Sequence, residues 1–187
     1  MNYPFNEEYK EARMSKIIQS DEIMDRLVKW HKNPEYIFYF TGNVGTGKTY
    51  FVSAMYNEWI EQGKNVRAYT EDNFLSHLKV GFKDNNDATF EIKRLCECDY
   101  FILDDMGHCR MNDWQRDIIF NLIDIRSSMK RPTLITSNLQ KKDLLNTYNE
   151  RMASRVYASR NTIVLSTGGD RRSIPNFGKK EFSELLT

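Results

Sequence analysis

The sequence predicts an α/β fold in which a parallel sheet of five strands carries helices on both faces. Two observations predict it. Stretches rich in β-branched and aromatic residues alternate along the chain with segments whose apolar residues recur at helical spacing. A glycine-rich turn at 42–49 lies between the first such stretch and the helical segment after it. Because parallel strands need crossover connections, this alternation is typical of a sheet covered by helices on both sides.

The elements follow in a regular order. We predict strands at 36–40, 66–70, 100–103, 133–136 and 162–165, and helices at 49–62, 71–82, 88–96, 113–128 and 141–158. Residues 7–32 predict two short helices separated at Ser20-Asp21, a good N-cap pair, and Asn33-Pro34 ends them. We therefore expect a short helical extension, 1–33, followed by one domain, 34–187.

The glycine-rich turn has the residues of a P-loop, and the strand and helix around it are the context that this motif requires. Its residues are Gly42, Asn43, Val44, Gly45, Thr46, Gly47, Lys48 and Thr49. Glycines let successive backbone N–H groups face an anion, and the following helix adds the positive end of its dipole. Lys48 supplies a charge for the β- and γ-phosphates, and the hydroxyl of Thr49 is a ligand for Mg²⁺. The turn therefore predicts a site for ATP and Mg²⁺.

Two acids follow the third predicted strand. Asp104 and Asp105 stand at the carboxyl edge of the sheet, where open α/β sheets bind their ligands. In an ATP site Asp104 holds Mg²⁺, as in a Walker B strand, and Asp105 polarises the attacking water. A pair of turn aspartates before Gly107 is the simpler alternative. Because a P-loop is also present, the sequence favours roles in Mg²⁺ binding and water activation over a simple turn.

Two further groups are candidates for the same site. The fourth predicted strand is expected between the first and third strands, which brings Ser137 or Asn138 towards the γ-phosphate; a plain polar turn is the alternative. Arg151 and Arg155 lie four residues apart, so a helix presents both on one side. They are either a solvated basic face or an arginine offered to the ATP of a neighbouring subunit.

The composition bounds the function classes. Hydrophobic residues make up 40% of the chain and charged residues 28%, an ordinary balance for a globular domain. No apolar run approaches the roughly 20 residues of a membrane span, and the N-terminus lacks a signal-peptide pattern, so we expect a cytoplasmic protein without membrane contact. The net charge of +1 gives no global attraction for nucleic acid, so such contacts must come from local patches.

Taken together, these residues resemble the AAA+ ATPases of the DnaC/IstB group, the bacterial and phage helicase loaders and their transposition relatives. The resemblance runs from about 36 to 165 and depends most on the P-loop and on 103–107, 124–133, 136–139 and 150–156. It implies that Asn138 is a sensor residue and that Arg155 is the arginine finger, with Arg151 as second candidate. It also implies an ATPase of DNA replication that forms a homo-oligomer with ATP and binds a replicative helicase.

The segment 68–79 resembles the helical insertion that faces single-stranded DNA in loader assemblies. In an oligomer, Lys79 and Lys83 would contact phosphates, and Phe74 or Phe82 would stack on bases, which implies weak, ATP-dependent binding of single-stranded DNA. Phe74, Leu75 and Leu78 are also spaced like a stripe that faces a core, so burial of Phe74 is the alternative.

The chain also departs from the family pattern. The second acid of the family is often Glu, and the shorter Asp105 predicts slow hydrolysis. The extension 1–33 is too short for a helicase-binding domain, and we expect a short tail with Arg171 and Arg172 in place of a helical lid. Three alternatives stay open: a target-selecting ATPase of transposition, a nucleotide-switched binding module, and a small-molecule kinase, for which no arginine-rich lid is evident.

Overall fold

A computed structural model of the chain describes residues 3–17, 19–83, 88–166 and 169. The helices are α1 (Asp21–Lys32), α2 (Lys48–Glu61), α3 (Glu71–Lys83), α4 (Ala88–Glu97), α5 (Asp113–Ser128), α6 (Lys141–Thr147) and α7 (Glu150–Val156). The strands are β1 (Ile37–Gly42), β2 (Val66–Thr70), β3 (Tyr100–Met106), β4 (Thr133–Ser137) and β5 (Thr162–Ser166). Within the described residues, no helix has both the length and the apolar character needed to cross a bilayer.

The five strands form one parallel sheet in the order β2-β3-β4-β1-β5. The predicted α/β class is therefore confirmed, and so is the position of β4 between β1 and β3. Phe40 pairs with Thr136 across β1 and β4, and Leu103 pairs with Ile135 across β3 and β4. Because all strands run in one direction, the P-loop and the residues that follow β3 and β4 meet at one edge of the sheet.

Alternate residues of β1 belong to two cores on opposite faces of the sheet. Ile37 and Tyr39 pack in a cluster with residues of α3 to α7. Phe38 and Phe40 pack in a second cluster with α1, α2 and buried residues of the N-terminal segment, including Phe5. This alternation has the period of a strand, and it explains why a continuous apolar run places helices on both faces.

Two predicted helical segments differ from the structure. The segment before α1 forms two short 3₁₀ turns, Glu7–Tyr9 and Met14–Lys16, so the prediction of two helices within 7–32 is wrong for the first of them. The predicted helix at 141–158 is broken between Thr147 and Glu150. The break occurs because the side chain of Asn149 accepts the N–H of Met152 at 2.9 Å and starts a new helix as its N-cap.

Arg126 in the last turn of α5 is fully buried and holds several elements together. Its guanidinium donates to the carbonyl oxygens of Leu95, Cys98 and Pro132 at 2.8, 3.0 and 2.6 Å, and to the Oγ1 of Thr133 at 3.0 Å. Burial lowers the pKa of Arg126, and the hydrogen bonds offset the cost of burying its charge. The residue therefore joins the end of α4 to the beginning of β4.

Candidate nucleotide-binding site

The P-loop connects β1 to α2 and has the backbone that an anion site needs. Gly45 and Gly47 have φ angles of +79° and +89°, which side chains other than glycine rarely adopt. Gly42 is required for a different reason, because a Cβ there would lie 2.3 Å from the carbonyl oxygen of Ser166 in β5. The glycines thus serve both the turn and the close approach of β5 to β1.

Lys48 lies at the first position of α2 and is buried under the loop. Its Nζ donates to the carbonyl oxygens of Gly42 and Asn43 at 2.8 Å each. The Oγ1 of Thr46 also donates to Asn43, at 2.9 Å, which closes the turn. A fixed ammonium at a helix N-terminus beside a glycine-rich turn fits the phosphates of ATP.

Gln19 is a neighbour of the P-loop that the sequence did not predict. Its Nε2 donates to the carbonyl oxygen of Thr46 at 2.9 Å, and its Oε1 accepts from the Oγ of Ser166 at 3.3 Å. The N-terminal segment therefore lies against the loop rather than apart from it. Nothing in the spacing of its residues signals this contact, which depends on the packing of the whole segment.

Asp104 is buried within β3, and the side chain of Thr136 in β4 binds its carboxylate. The Oγ1 of Thr136 donates to the Oδ1 of Asp104 and accepts from the backbone N–H of Asp105 at 3.0 Å. Burial raises the pKa of Asp104 to about 6, while hydrogen bonds from Thr136 and Thr49 and the charge of Lys48 act in the opposite direction. The hydroxyl of Thr49 and this carboxylate supply the oxygen ligands that Mg²⁺ prefers.

Asp105 differs from its neighbour in exposure and backbone. Its side chain is 45% exposed, and its Oδ2 lies 4.0 Å from the Nδ1 of His108. Its φ is +57°, in the left-handed region that aspartate and asparagine tolerate better than most residues. The two acids therefore differ in environment, with Asp104 buried beside Thr49 and Asp105 partly exposed at the sheet edge, and their separate roles stay predictions.

Ser137 and Asn138, the two residues predicted to approach the γ-phosphate, differ in their contacts. The Oγ of Ser137 donates to the carbonyl oxygen of Met106 at 2.5 Å and accepts the N–H of Leu139 at 2.9 Å, so it fixes the loop internally. Asn138 is exposed at the same edge of the sheet. Of the two, Asn138 is therefore the better candidate for contact with bound nucleotide, and that role stays a prediction.

Arg151 and Arg155 both contact α5 of their own chain, which the sequence did not predict. The guanidinium of Arg151 stands 4.3 Å from the centre of the Phe120 ring. Arg155 forms an ion pair with Asp124, and both side chains of the pair are partly exposed. The two arginines are four residues apart on α7, and their partners are four apart on α5. The packing of α7 against α5 therefore fixes the orientation of both arginine side chains.

The structure corrects one predicted DNA contact. Phe74 is fully buried and packs at 5.6 Å from Tyr69 and 6.0 Å from Phe101, measured between ring centroids. The prediction that its ring stacks on bases is therefore wrong, because the apolar stripe of α3 faces the core. Lys79 is exposed on the same helix. The side chains of Phe82 and Lys83, near the end of α3, lie outside the part of the chain that the structure describes, as do Arg171 and Arg172.

The geometry of the loop gives a first test. Lys48→Ala should weaken ATP binding by about 10- to 100-fold, because a hydrogen bond to a charged group contributes about 1.5–3 kcal/mol. The fold should persist, since Thr46 still closes the turn. Titration with a fluorescent ATP analogue measures the affinity, with Lys64→Ala, an exposed lysine beyond α2, as control. Equal affinities in wild type and Lys48→Ala would contradict the assignment.

Comparison with known proteins agrees with this geometry. A family model described as IstB-like ATP binding protein matches residues 10–157. The replicative helicase loader DnaC of Buchnera aphidicola subsp. Baizongia pistaciae is 35% identical over 121 residues, which cover 64% of this chain and 49% of the relative. DnaC of Escherichia coli (strain K12) is 28% identical over 137 residues, which cover 73% of this chain and 56% of that relative. The chain thus spans about half the length of the curated relatives it matches.

Solved structures show the same fold. A crystal structure of the DnaC helicase loader matches with a TM-score of 0.73 at 24% identity, covering 86% of this chain and 99% of that one. The replication initiator DnaA bound to AMPPCP and single-stranded DNA matches with a TM-score of 0.75 at 17% identity. The match covers 85% of this chain and 50% of that one. The parallel sheet with its P-loop is therefore a fold that this chain shares with both structures.

Proposed function

The chain belongs to the IstB-like ATP-binding protein family, and from this premise we propose that it hydrolyses ATP slowly at sites shared between neighbouring copies and loads a replicative helicase. One observation carries the ATPase part. Lys48 beneath the P-loop, the buried Asp104 and the more exposed Asp105 all lie at one edge of the sheet, and this arrangement supports the proposal. Similarity to DnaC proteins supports the loader part.

The residues divide the chemistry among them. Bound ATP with Mg²⁺ supplies the phosphoryl group that is transferred to water. The P-loop amides and Lys48 would bind the phosphates, and Thr49 and Asp104 would hold the metal ion. Asp105 accepts a proton from the attacking water, and Asn138 orients that water. Positioning and charge stabilisation together provide most of the catalysis in phosphoryl transfer.

We infer that the site needs a second copy of the chain. The guanidinium groups of Arg151 and Arg155 contact Phe120 and Asp124 in α5 of the same chain. An arginine finger supplied by a neighbour would complete the charge stabilisation at the γ-phosphate. This explains why we expect a homo-oligomer in the presence of ATP.

The loader proposal is tested by its partner. The immobilised chain is incubated with extract in the presence or absence of ATP, and the retained proteins are identified by mass spectrometry, with Lys48→Ala as the matched control. We expect ATP-dependent retention of a replicative helicase that the Lys48→Ala variant lacks. Retention of a transposase instead would replace the loader with a target-selecting ATPase of transposition. Retention of neither would contradict both.

Single-stranded DNA is the second proposed partner, and its binding should depend on ATP. The exposed Lys79, together with Lys83, would form a repeated row of phosphate contacts in an oligomer. The double variant Lys79→Ala/Lys83→Ala should lose DNA binding while it retains ATP binding. Lys142→Ala, an exposed lysine on α6, is the control. Fluorescence anisotropy at two salt concentrations makes the measurement. Binding that ignores both ATP and these lysines would leave α3 with a structural role alone.

A further inference from the structure

A buried carboxylate outside the nucleotide-contacting residues lies at the first position of α3. Glu71 is only 1% exposed. Its Oε1 accepts the backbone N–H of Gly107 at 3.0 Å and the hydroxyl of Tyr148, and its Oε2 accepts the N–H of Cys109 at 2.9 Å. Both oxygens of this buried carboxylate accept hydrogen bonds, so the group connects α3 to two segments that are distant in sequence.

The first of these segments is the loop that follows Asp105. Gly107 has a φ of +95°, and a Cβ at this position would lie 2.3 Å from a methyl carbon of Leu139. The loop is therefore pressed against the segment after β4 on one side and bonded to Glu71 on the other. Between β3 and α5 it has no regular structure of its own, so Glu71 supplies hydrogen bonds that a helix or strand would otherwise provide.

The second segment is the connection between α6 and α7. Tyr148 is buried, and burial together with the charge of Glu71 raises the pKa of its hydroxyl strongly, so the group stays a hydrogen-bond donor. The next residue, Asn149, is the N-cap of α7. Tyr148 thus fixes the start of the helix that carries Arg151 and Arg155.

We propose that Glu71 is a positioning residue that fixes the loop after Asp105 relative to the start of α7. Through Gly107 and Cys109 it sets the segment next to the acid that activates water. Through Tyr148 it sets the helix that presents arginines to a neighbouring copy. The role of both ends in hydrolysis rests on the proposed function, whereas the mechanical link is a property of this chain's own contacts.

Two substitutions separate the two ends of this link. Glu71→Gln keeps the shape but replaces one acceptor oxygen with an amide N–H, so one of the bonds to Gly107 or Cys109 is lost. Tyr148→Phe removes the hydroxyl and leaves both loop bonds in place. Asp72→Asn is the matched control, because it neutralises the adjacent, exposed carboxylate and keeps an oxygen acceptor for the Sγ of Cys109, which lies 3.9 Å from the Oδ1 of Asp72.

Hydrogen exchange tests the mechanical link without reference to turnover. In Glu71→Gln, amides of the 107–109 peptide should exchange about 10-fold faster or more, as expected when a charge-assisted bond is lost. In Tyr148→Phe the acceleration should appear at 148–152 and leave 107–109 protected. Asp72→Asn should match wild type at both segments. Unchanged protection of 107–109 in Glu71→Gln would overturn the proposal.

Kinetics tests what the link does. Glu71→Gln should lower kcat by about 10- to 100-fold and leave the affinity for ATP unchanged, a split that general damage to the fold would not produce. Mixing with Lys48→Ala, which has an intact α7, should rescue Tyr148→Phe but not Glu71→Gln.

A wild-type kcat in Glu71→Gln, or equal losses of kcat and ATP affinity, would overturn the positioning role. An inactive wild type would contradict the proposed function, while hydrogen exchange would still decide the link.

Discussion

Asp105→Asn should bind ATP like wild type and hydrolyse it about 10²–10⁴-fold more slowly, the usual contribution of a general base. The amide cannot accept the proton of the attacking water. The substitution suits this position, because Asn tolerates the left-handed φ of +57° as well as Asp does. Phosphate release from saturating ATP measures the rate, and the fluorescent ATP analogue measures binding.

Asp104→Asn is the informative comparison. Its carboxylate is buried beside Thr49 and Thr136, so its loss should weaken Mg²⁺-dependent binding as well as turnover. The two neighbouring acids should therefore give different phenotypes. Wild-type turnover in Asp105→Asn would mean that the base lies elsewhere. If wild type binds ATP without measurable turnover, the chain is a nucleotide-switched binding module instead.

The parts of this fold that sequence predicts well are those set by local pattern. The strand that leads into Gly42 and the helix that begins at Lys48 follow from short-range periodicity and from the φ angles that glycine permits. The strand order follows from the fold class, and with it the meeting of Asp104 and Asn138 at one edge. These features need no knowledge of distant contacts.

The parts that sequence predicts poorly depend on contacts between distant residues. A stripe containing Phe74 is compatible with a core face and with a binding face, and only the packing against Phe101 decides between them. Glu71 in sequence is an ordinary first-turn acid of a helix, a position that favours negative charge. Its bonds to Gly107 and Tyr148 span 36 and 77 residues of chain, so no local pattern reveals them.

Arg126 is a third case, because it lies in a segment that identifies the family from sequence, while the physical role of the residue is visible only in the structure. The segment 124–133 supports the family resemblance strongly. The structure supplies a physical account: the guanidinium binds main-chain carbonyl oxygens of Leu95 and Pro132, which fixes the ends of two elements. Arg126 therefore has a structural role, whereas the neighbouring Asp124 forms an ion pair with Arg155, the proposed arginine finger.

Arg155→Ala should bind ATP normally yet lose about 10³–10⁵-fold in hydrolysis, the range measured for arginine fingers. The wild-type rate per subunit should rise with protein concentration, because the arginine acts on a neighbour's ATP. Arg116→Ala is the matched control, since Arg116 also pairs with an aspartate and is 27% exposed against 28% for Arg155. Arg151→Ala tests the second candidate in the same assay.

Mixing variants gives the decisive form of this experiment. Lys48→Ala cannot bind ATP well but offers an intact Arg155, whereas Arg155→Ala offers an intact pocket without the finger. Neither should be active alone, and an equimolar mixture should recover part of the wild-type rate, because half-sites from the two variants combine at their interface. Three results together would contradict the shared site. The mixture would stay inactive, the wild-type rate per subunit would be constant on dilution, and the chain would sediment as a monomer with ATP. In that case the ion pair between Arg155 and Asp124 would only join α7 to α5.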